Sequence, residues 1–192
     1  MNQARNSSRK TVAKRKRGSR EKIIDAALVV VSEQGLRRFS LDAVAEIAGV
    51  SKGGLLYNFP TKSELLKAMV ARHVEEFSDQ FDSACERLAG EGMRNSVIRA
   101  YLTTFRDYFC VKEQSPSGFL AAIAEEPDLL DPVREQNARI VSEIRSKSDN
   151  PKLAMAAFLA IAGIRHTQLF SLDCMSREET LGVIDHLLER FE

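Results

Sequence analysis

The sequence lacks tryptophan, has only three cysteines in 192 residues, and contains no apolar run long enough to cross a bilayer. Cys85, Cys110 and Cys174 are scattered and odd in number, which argues against a disulfide framework and fits a reducing cytosol. No apolar segment follows the basic N-terminus, so we predict no export signal. These absences predict a cytoplasmic protein without a membrane partner.

Sequence signatures of common enzyme classes are also missing. We find no G-x-S-x-G, H-E-x-x-H, P-loop or dinucleotide fingerprint. The three histidines lie far apart, and the nearest combination of metal-ligating types, His166 and Cys174, is a poor metal pair at a spacing of eight residues. We therefore predict that the protein is not an enzyme and requires no metal or other cofactor.

Positive charge is concentrated at the N-terminus. Residues 1–20 contain eight Lys or Arg and no acid, which leaves a net −7 on residues 21–192, since the whole chain carries +1. This asymmetry is typical of a protein whose N-terminal end faces a polyanion, although a disordered solubilising tail would have the same composition. We predict a disordered basic arm over residues 1–18.

Residues 41–59, LDAVAEIAGVSKGGLLYNF, have the pattern of two short helices joined by a tight turn. Gly49 supplies a position where the first helix can end with positive φ, and Ser51 is a good N-cap for the second. Leu55, Leu56 and Phe59 form the expected inner face of that second helix. Its expected outer face is small and weakly basic, which suits a DNA major groove: Lys52, Gly53, Gly54, Tyr57 and Asn58. The alternative is a helical corner without a ligand.

One further helix precedes this corner. Ser19 is its predicted N-cap, Gly35 its end, and the predicted buried stripe comprises Ile23, Ile24, Ala27, Leu28 and Val31. Ser40 is the predicted N-cap of the helix that follows. Three helices in about forty residues predict a helix-turn-helix DNA-binding domain over residues 19–60.

The remaining residues, 61–192, are predicted to form a larger helical domain. A capping box at Thr61 and Glu64 opens a long helix that ends near Gly90, and a second box, at Ser176 and Glu179, opens the last helix. The intervening helices are predicted at residues 96–110, 119–124, 133–148 and 152–170. The chain is thus predicted to be all-α, with about nine helices and no strand.

Three segments within residues 20–66 resemble the TetR family of bacterial transcriptional regulators. They are Arg20 to Ala27, Ala45 to Gly53, and Phe59 to Leu66. The resemblance implies a homodimer whose first three helices bind a palindromic operator in double-stranded DNA, while the larger domain binds a small-molecule effector. It also implies a four-helix bundle of the last two helices of each subunit, 152–170 and 177–191, where Ala156, Ala160 and Gly163 would permit close approach.

The recognition helix departs from the family pattern. Many members have Leu-Tyr-x-His-Phe where this chain has Leu55-Leu56-Tyr57-Asn58-Phe59. The family's tyrosine, which often touches a phosphate, therefore falls on Leu56, which has no hydroxyl, and its histidine falls on Asn58. Tyr57 is a hypothetical replacement for the phosphate or base contact.

The predicted DNA-binding residues have two roles. Base readout is assigned to Lys52, Gly53, Gly54 and Tyr57, with Asn58 retaining hydrogen-bonding ability. Phosphate contacts are assigned to basic side chains and helix N-termini: Arg15, Lys16, Arg17, Arg20, Ser40, Ser51 and Lys62.

The predicted effector-binding residues lie in the larger domain. Its aromatic candidates, although residues at helical spacing are more often plain core, are Tyr101, Phe105, Tyr108, Phe119 and Phe158. Arg165 and His166, in an otherwise apolar helix, would orient a polar group of the effector or form an interface or core pair. Together with the resemblance, these features predict a repressor that an effector releases from DNA. The alternatives are a redox-responsive regulator that uses Cys110 or Cys174, and an activator of the same fold.

Overall fold

Every regular element that the structure describes is helical. The structure is a computed structural model that describes residues 18–33, 39–111, 127–170, 172 and 174–192. These residues form α1 (18–33), α2 (Leu41–Ala48), α3 (Lys52–Asn58), α4 (Lys62–Gly90), α5 (Ser96–Val111), a 3-10 turn (Pro127–Leu130), α6 (Asp131–Lys147), α7 (Pro151–Leu169) and α8 (Arg177–Glu189). The predicted all-α class is confirmed, with eight α-helices in the described ranges. The predicted helix at 119–124 and the predicted stop at Gly35 lie outside those ranges.

The helix starts follow the predicted capping residues in most cases. The Ser40 hydroxyl accepts a hydrogen bond from the N–H of Ala43 at 3.2 Å, and Thr61 accepts one from Glu64 at 3.1 Å. Both bonds of the capping box between Ser176 and Glu179 are present. Because each cap satisfies donors within its own turn, these starts could be predicted locally. Ser19 is the exception, since α1 already includes residue 18.

Internal contacts divide the chain into two compact units, with the division between Val70 and Ala71. The first unit contains α1, α2, α3 and the beginning of α4. Its apolar side chains with at most 3% exposure are Ile23, Ile24, Ala27, Val30, Val44, Leu55, Phe59, Leu65, Leu66 and Met69. The predicted domain limits, 1–18, 19–60 and 61–192, stay predictions.

Two leucines of the first unit do not lie where the sequence pattern predicted. Leu28 is 39% exposed and Leu56 is 37% exposed, whereas Ala26 and Val30 are buried in α1. In each case a neighbouring apolar residue, Ala27 or Leu55, occupies the inward direction. Successive residues of a helix point about 100° apart, so one residue of an adjacent apolar pair can be buried while the other reaches solvent.

The second unit is built around α5, which packs against α6, α7 and α8. Its core combines apolar side chains from the later part of α4 and from all four of these helices. Its large buried members include Phe77, Phe81, Ile98, Tyr101, Leu102, Phe105, Ile140, Ile144, Phe158, Ile161, Ile184 and Phe191. No helix among the described residues is long and apolar enough to span a membrane.

Polar contacts join the helices of the second unit at its surface. Arg106 on α5 binds Asp185 on α8 through two hydrogen bonds of 2.5 and 3.3 Å. Arg139 on α6 contacts Asp82 on α4. Asn95, which has a φ of 55°, exchanges two hydrogen bonds with Asp149 and so connects the turn after α4 to the turn before α7. These contacts fix the ends of helices whose apolar faces already pack together.

Candidate functional site

A tight turn at Gly49 joins α2 to α3. Gly49 has φ 64° and ψ 35°, a left-handed conformation that glycine adopts without the steric cost of a Cβ. The N–H of Gly49 donates to the Glu46 carbonyl at 3.1 Å, and the N–H of Val50 donates to the Ala45 carbonyl at 3.0 Å. These two bonds close the end of α2 in a Schellman arrangement and turn the chain sharply into α3.

The seven-residue helix α3 corresponds to the predicted recognition helix. Its N-cap is Ser51, whose hydroxyl accepts a hydrogen bond from the N–H of Gly54 at 3.1 Å. Leu55 is fully buried and Phe59, the residue after the helix, is 1% exposed, so these two side chains anchor the helix. The opposite side carries Lys52, Gly53 and Tyr57, all exposed, with Tyr57 at 69%. Gly54 is half-buried.

Lys52 is held by an acidic residue that the sequence analysis did not identify. Its Nζ lies 2.9 Å from Asp42 Oδ1 and 3.2 Å from Asp42 Oδ2. Both side chains are more than 60% exposed. Asp42 belongs to the first turn of α2, ten residues before Lys52, and no local pattern links the two positions. The helix-turn-helix therefore presents a pair of opposite charges on the face that was predicted to be weakly basic.

Asn58 does not share the exposed face of Lys52 and Tyr57, contrary to the prediction. It is half-buried, and its Nδ2 donates to the Gly54 carbonyl at 2.8 Å and approaches Ser19 Oγ at 3.5 Å. Its Oδ1 is buried and has no hydrogen-bond partner among the described residues. Asn58 thus connects α3 to α1, because its amide turns toward the interior at the end of the helix.

The predicted phosphate-binding residues of the first unit lie at helix starts or on exposed surface. Ser40 and Ser51 are exposed N-caps. Arg20 is exposed, with its guanidinium carbon 4.5 Å from the centre of the Phe59 ring. Lys62 donates to the Phe39 carbonyl at 3.2 Å, and its ammonium lies 5.3 Å from the Phe39 ring.

Three further phosphate candidates belong to the basic arm. These residues, Arg15, Lys16 and Arg17, lie outside the described part of the chain. Their predicted role rests on the sequence alone.

Several predicted effector-binding residues meet in the second unit. Tyr101, Phe105 and Phe158 are buried, and the rings of Tyr101 and Phe158 lie 5.1 Å apart. The half-buried Arg165 places its guanidinium carbon 6.0 Å from the centre of the Phe77 ring. Burial raises the pKa of Tyr101, while the positive charge of Arg165 and a hydrogen bond from it act in the opposite direction.

The remaining candidates are separated from this group. The Tyr108 hydroxyl lies 3.1 Å from Nε2 and 3.2 Å from Nδ1 of His73, a residue that the sequence analysis did not place at the site. His166 is exposed, next to the half-buried Arg165, because adjacent helical residues point in different directions. Phe119 lies outside the described residues.

The other side chains with possible chemistry are the cysteines and the metal-ligating types. Cys110 and Cys174 are exposed, while Cys85 is half-buried. Burial, followed by the negative charges of Glu143 and Asp82, raises the pKa of the Cys85 thiol to about 11. Within the described ranges no three His, Cys, Asp or Glu side chains gather as a metal site would require. The redox alternative based on Cys110 or Cys174 stays a prediction.

Two family descriptions match the chain. Residues 23–69 match "Bacterial regulatory proteins, tetR family", and residues 95–192 match "Tetracyclin repressor-like, C-terminal domain". The first match contains the helix-turn-helix, and the second extends over more than half of the chain. The chain belongs to the TetR family.

Curated TetR-family regulators are similar in sequence. The HTH-type transcriptional regulator CymR of Pseudomonas putida is 27% identical over 178 residues, which cover 86% of each chain. The HTH-type transcriptional regulator RutR of Escherichia coli K12 is 34% identical over 102 residues, which cover 52% of this chain and 48% of RutR. The HTH-type transcriptional repressor KstR of Mycolicibacterium smegmatis is 38% identical over 74 residues, which cover 38% of this chain and 35% of KstR.

Solved structures of the same fold include a transcriptional regulator from Rhodococcus sp. Rha1, with a TM-score of 0.69 and 20% identity, covering 90% of this chain and 95% of that one. Another is the multidrug binding protein EbrR complexed with malachite green, with a TM-score of 0.64 and 23% identity, covering 88% of this chain and 96% of EbrR. Taken with the family matches, these similarities identify a DNA-binding transcriptional regulator with the TetR fold.

Proposed function

We propose that this TetR-family protein is a repressor that binds a palindromic operator as a homodimer and leaves it when a small effector binds. The exposed side of α3 carries the proposal. Leu55 and Phe59 anchor this helix in the first unit, and Lys52, Gly53 and Tyr57 face outward. A short helix with one buried apolar side and one exposed side of polar residues and glycine has the form of a recognition helix. The exposed residues of such a helix contact base edges in the major groove.

We assign the sequence-independent part of the affinity to phosphate contacts. Ser40 and Ser51 stand at the starts of α2 and α3, where unpaired N–H groups and partial positive charge favour an anion. Arg20 and Lys62 supply full positive charges in the same unit, and the basic arm adds Arg15, Lys16 and Arg17. Asn58, which the sequence analysis grouped with the DNA-binding residues, is proposed instead to position α3, since its amide turns inward.

The proposed dimer uses an apolar surface on the last two helices. Ala156, Leu159 and Gly163 are exposed on one side of α7, with Leu159 at 62%, and Val183 on α8 is 37% exposed. A Cβ added to Gly163 would meet no atom within 4 Å, so this glycine is not required for packing inside the subunit. Exposed apolar surface of this kind marks an association site, and two such helices per subunit fit a four-helix bundle.

The proposed effector site lies in the second unit, where Arg165 approaches Tyr101 and Phe77 inside an aromatic core. The structurally similar protein EbrR binds the small molecule malachite green, which supports the proposal that this chain also binds a small-molecule effector. We further propose that the protein has no catalytic activity and acts in the cytoplasm, where bacterial DNA is accessible to it.

The decisive experiment is selection of bound fragments from sheared bacterial genomic DNA at near-physiological salt with excess non-specific competitor. Recovery of a shared palindrome is expected. Its half-sites should lie about one helical turn apart or a multiple of it, because two recognition helices of a symmetric dimer enter the same face of DNA.

Two results would contradict the proposal. Recovery of only random fragments by folded protein would remove sequence-specific recognition. Recovery of a single, non-repeated half-site would retain recognition but remove the symmetric dimer, because a two-fold axis requires two equivalent half-sites.

A further inference from the structure

Arg165 occupies an unusual position for a charged side chain. It is half-buried on α7, its guanidinium carbon lies 6.0 Å from the Phe77 ring centre, and its positive charge acts on the Tyr101 hydroxyl. Tyr101 is only 1% exposed, and its ring contacts those of Phe158 and Phe77 at 5.1 and 6.1 Å. The guanidinium therefore lies beside the Phe77 ring, which in turn contacts the ring of Tyr101.

Within the described part of the second unit, Arg165 differs from the arginines that form ion pairs. Arg94, Arg106 and Arg139 in the same unit form ion pairs with Asp149, Asp185 and Asp82. Among the described residues, no carboxylate lies within ion-pair distance of Arg165. A partly desolvated guanidinium without a counter-charge is costly, and an anion would remove that cost.

The groups at this position are hydrogen-bond donors. A guanidinium has five N–H donors in a planar fork that matches a carboxylate. The Tyr101 hydroxyl, on which the charge of Arg165 acts, has an O–H that can donate. Burial is the largest influence on Tyr101 and raises its pKa, so the hydroxyl keeps its proton at neutral pH. The guanidinium of Arg165 and the hydroxyl of Tyr101 can both donate to a ligand, and apolar rings lie beside them. This combination suits a ligand that has a carboxylate, which only accepts hydrogen bonds, attached to an apolar group.

We propose that Arg165 and Tyr101 bind the carboxylate of a small organic acid, whose apolar part packs against Phe77 and Phe158. The acid is the effector of the proposed repressor, and this last step rests on the proposed function. The structure thereby assigns a charge to the effector: it is an anion, in contrast to a neutral or cationic compound.

The test compares acids with their uncharged counterparts. The full chain is titrated with benzoate, phenylacetate and octanoate, and with benzamide, phenylacetamide and octanamide, by calorimetry and by the shift in thermal midpoint. At least one acid is expected to bind and to raise the midpoint, since a ligand that binds only the folded state stabilises it. Its amide is expected to bind at least tenfold more weakly. Inorganic phosphate is expected to produce no shift, because it has no apolar part.

Matched variants locate the site. Arg165→Gln is expected to weaken binding of the acid at least tenfold, Arg165→Lys less, because the ammonium keeps the charge but loses the fork. Tyr101→Phe, which retains the ring, is expected to weaken binding several-fold. Arg145→Gln is the control, since it removes the same charge from an exposed position on α6. Circular dichroism of each variant confirms that it is folded.

Each contrary outcome is distinct. No acid-dependent shift at 10 mM, equal binding of acids and amides, a response to phosphate alone, or undiminished binding by folded Arg165→Gln would each overturn the anion site. An acid that binds through Arg165 but does not release the selected operator would overturn its role as effector. Failure of the proposed function itself is detected separately, because operator selection uses protein without any added acid.

Discussion

At the scale of single residues, the contact between Lys52 and Asp42 changes what the recognition helix offers to DNA. The two side chains are 62% and 69% exposed, and an ion pair this exposed contributes little to the free energy of folding. Its importance lies in the charge that it presents to phosphates and bases. An acid within 3 Å of the proposed base-reading lysine offsets much of the attraction of that lysine for a polyanion.

Replacing Asp42 with Asn should therefore strengthen DNA binding without regard to sequence. The change removes one negative charge beside Lys52, so we expect tighter binding to random DNA. We also expect a plot of log affinity against log salt that is steeper by up to about one unit. Fluorescence anisotropy with operator and random duplexes over a series of salt concentrations measures both quantities.

Glu46→Gln provides the matched control, since it removes the same charge from an exposed position on α2 without a described contact to Lys52. In addition, combining Asp42→Asn with Lys52→Ala should abolish most of the gain, because the freed lysine is its cause. Equal effects of Asp42→Asn and Glu46→Gln would show that the ion pair has no special role.

Cys85 should be the unreactive thiol of the three. Burial raises its pKa to about 11, so at pH 8 only about one thiol in a thousand is the reactive thiolate. We expect an aromatic disulfide reagent to modify the exposed Cys110 and Cys174 in native protein, and Cys85 only after unfolding. Mass spectrometry of peptides after timed labelling identifies the sites. Labelling of Cys85 at the rate of Cys110 would contradict the prediction.

The same shift makes stability depend on pH. Because the pKa of Cys85 is raised in the folded protein, folding favours the protonated thiol. The resulting stabilisation is complete below about pH 9 and is lost as the pH rises from about 9 to 11. Urea unfolding at pH 8 and pH 10 should show a smaller loss for Cys85→Ala than for the original chain, whereas Cys174→Ala should show the original loss.

At the scale of elements, α3 combines good capping with poor helix-forming residues. Gly53 and Gly54 occupy its first turn, and a Cβ at Gly53 would meet no atom within 4 Å. Glycine costs a helix about 1 kcal/mol relative to alanine. Packing inside the protein therefore does not explain the glycine at position 53. We infer that a side chain is excluded here because DNA must approach the helix backbone closely.

Gly53→Ala should therefore stabilise the fold and weaken operator binding. We expect the free energy of unfolding to rise by roughly 0.5–1 kcal/mol, as measured by urea unfolding. We expect anisotropy to show weaker operator binding, since the added methyl separates the backbone from base edges. Gly54→Ala is a contrasting variant, because its Cβ would lie 3.3 Å from Ser51 Oγ, in the N-cap itself. Unchanged operator affinity in stable Gly53→Ala would contradict the proposed close approach.

Features that depend on a single turn could be predicted from the sequence. The cap at Ser51, the positive φ of Gly49 and the capping box of α8 each arise from residues within six positions of one another.

The orientation of adjacent apolar residues was harder to predict from the sequence. Leu55 and Leu56 are equally apolar, so composition alone could not decide which faces the core, and the structure leaves Leu56 exposed.

Contacts between distant parts of the chain could not be predicted in this way. Asn58 meets Ser19 and Arg165 meets Tyr101, although each pair is separated by dozens of residues. The partner of a polar side chain depends on how whole helices pack, and helical periodicity gives the direction of a residue but not its neighbour. For this reason the candidate residues of the effector site were found individually, while their grouping required the structure.

At the scale of the whole molecule, the exposed apolar side of α7 and α8 is the feature that a single chain leaves unexplained. Leu159→Glu should convert the proposed dimer into a monomer, because it places a charge in the middle of an apolar interface. Sedimentation velocity should show half the mass, and operator affinity should fall at least tenfold as the two half-sites are no longer bound together.

Met93→Glu is the control for this experiment, since Met93 is also an exposed apolar residue, at 41%, but lies in the turn after α4. It should leave the mass unchanged. A dimer that persists in folded Leu159→Glu would exclude this side of α7 from the interface.

The ion pair on the helix-turn-helix also affects how quickly the protein finds one site in a chromosome. A bacterial genome offers millions of competing sequences. The time for which the protein stays bound to each of them depends on the electrostatic attraction to phosphates, which is independent of sequence. With Lys52 matched by Asp42, the reading surface itself adds little to that attraction. We therefore expect brief stops at wrong sequences, so that a small number of molecules per cell can keep an operator occupied.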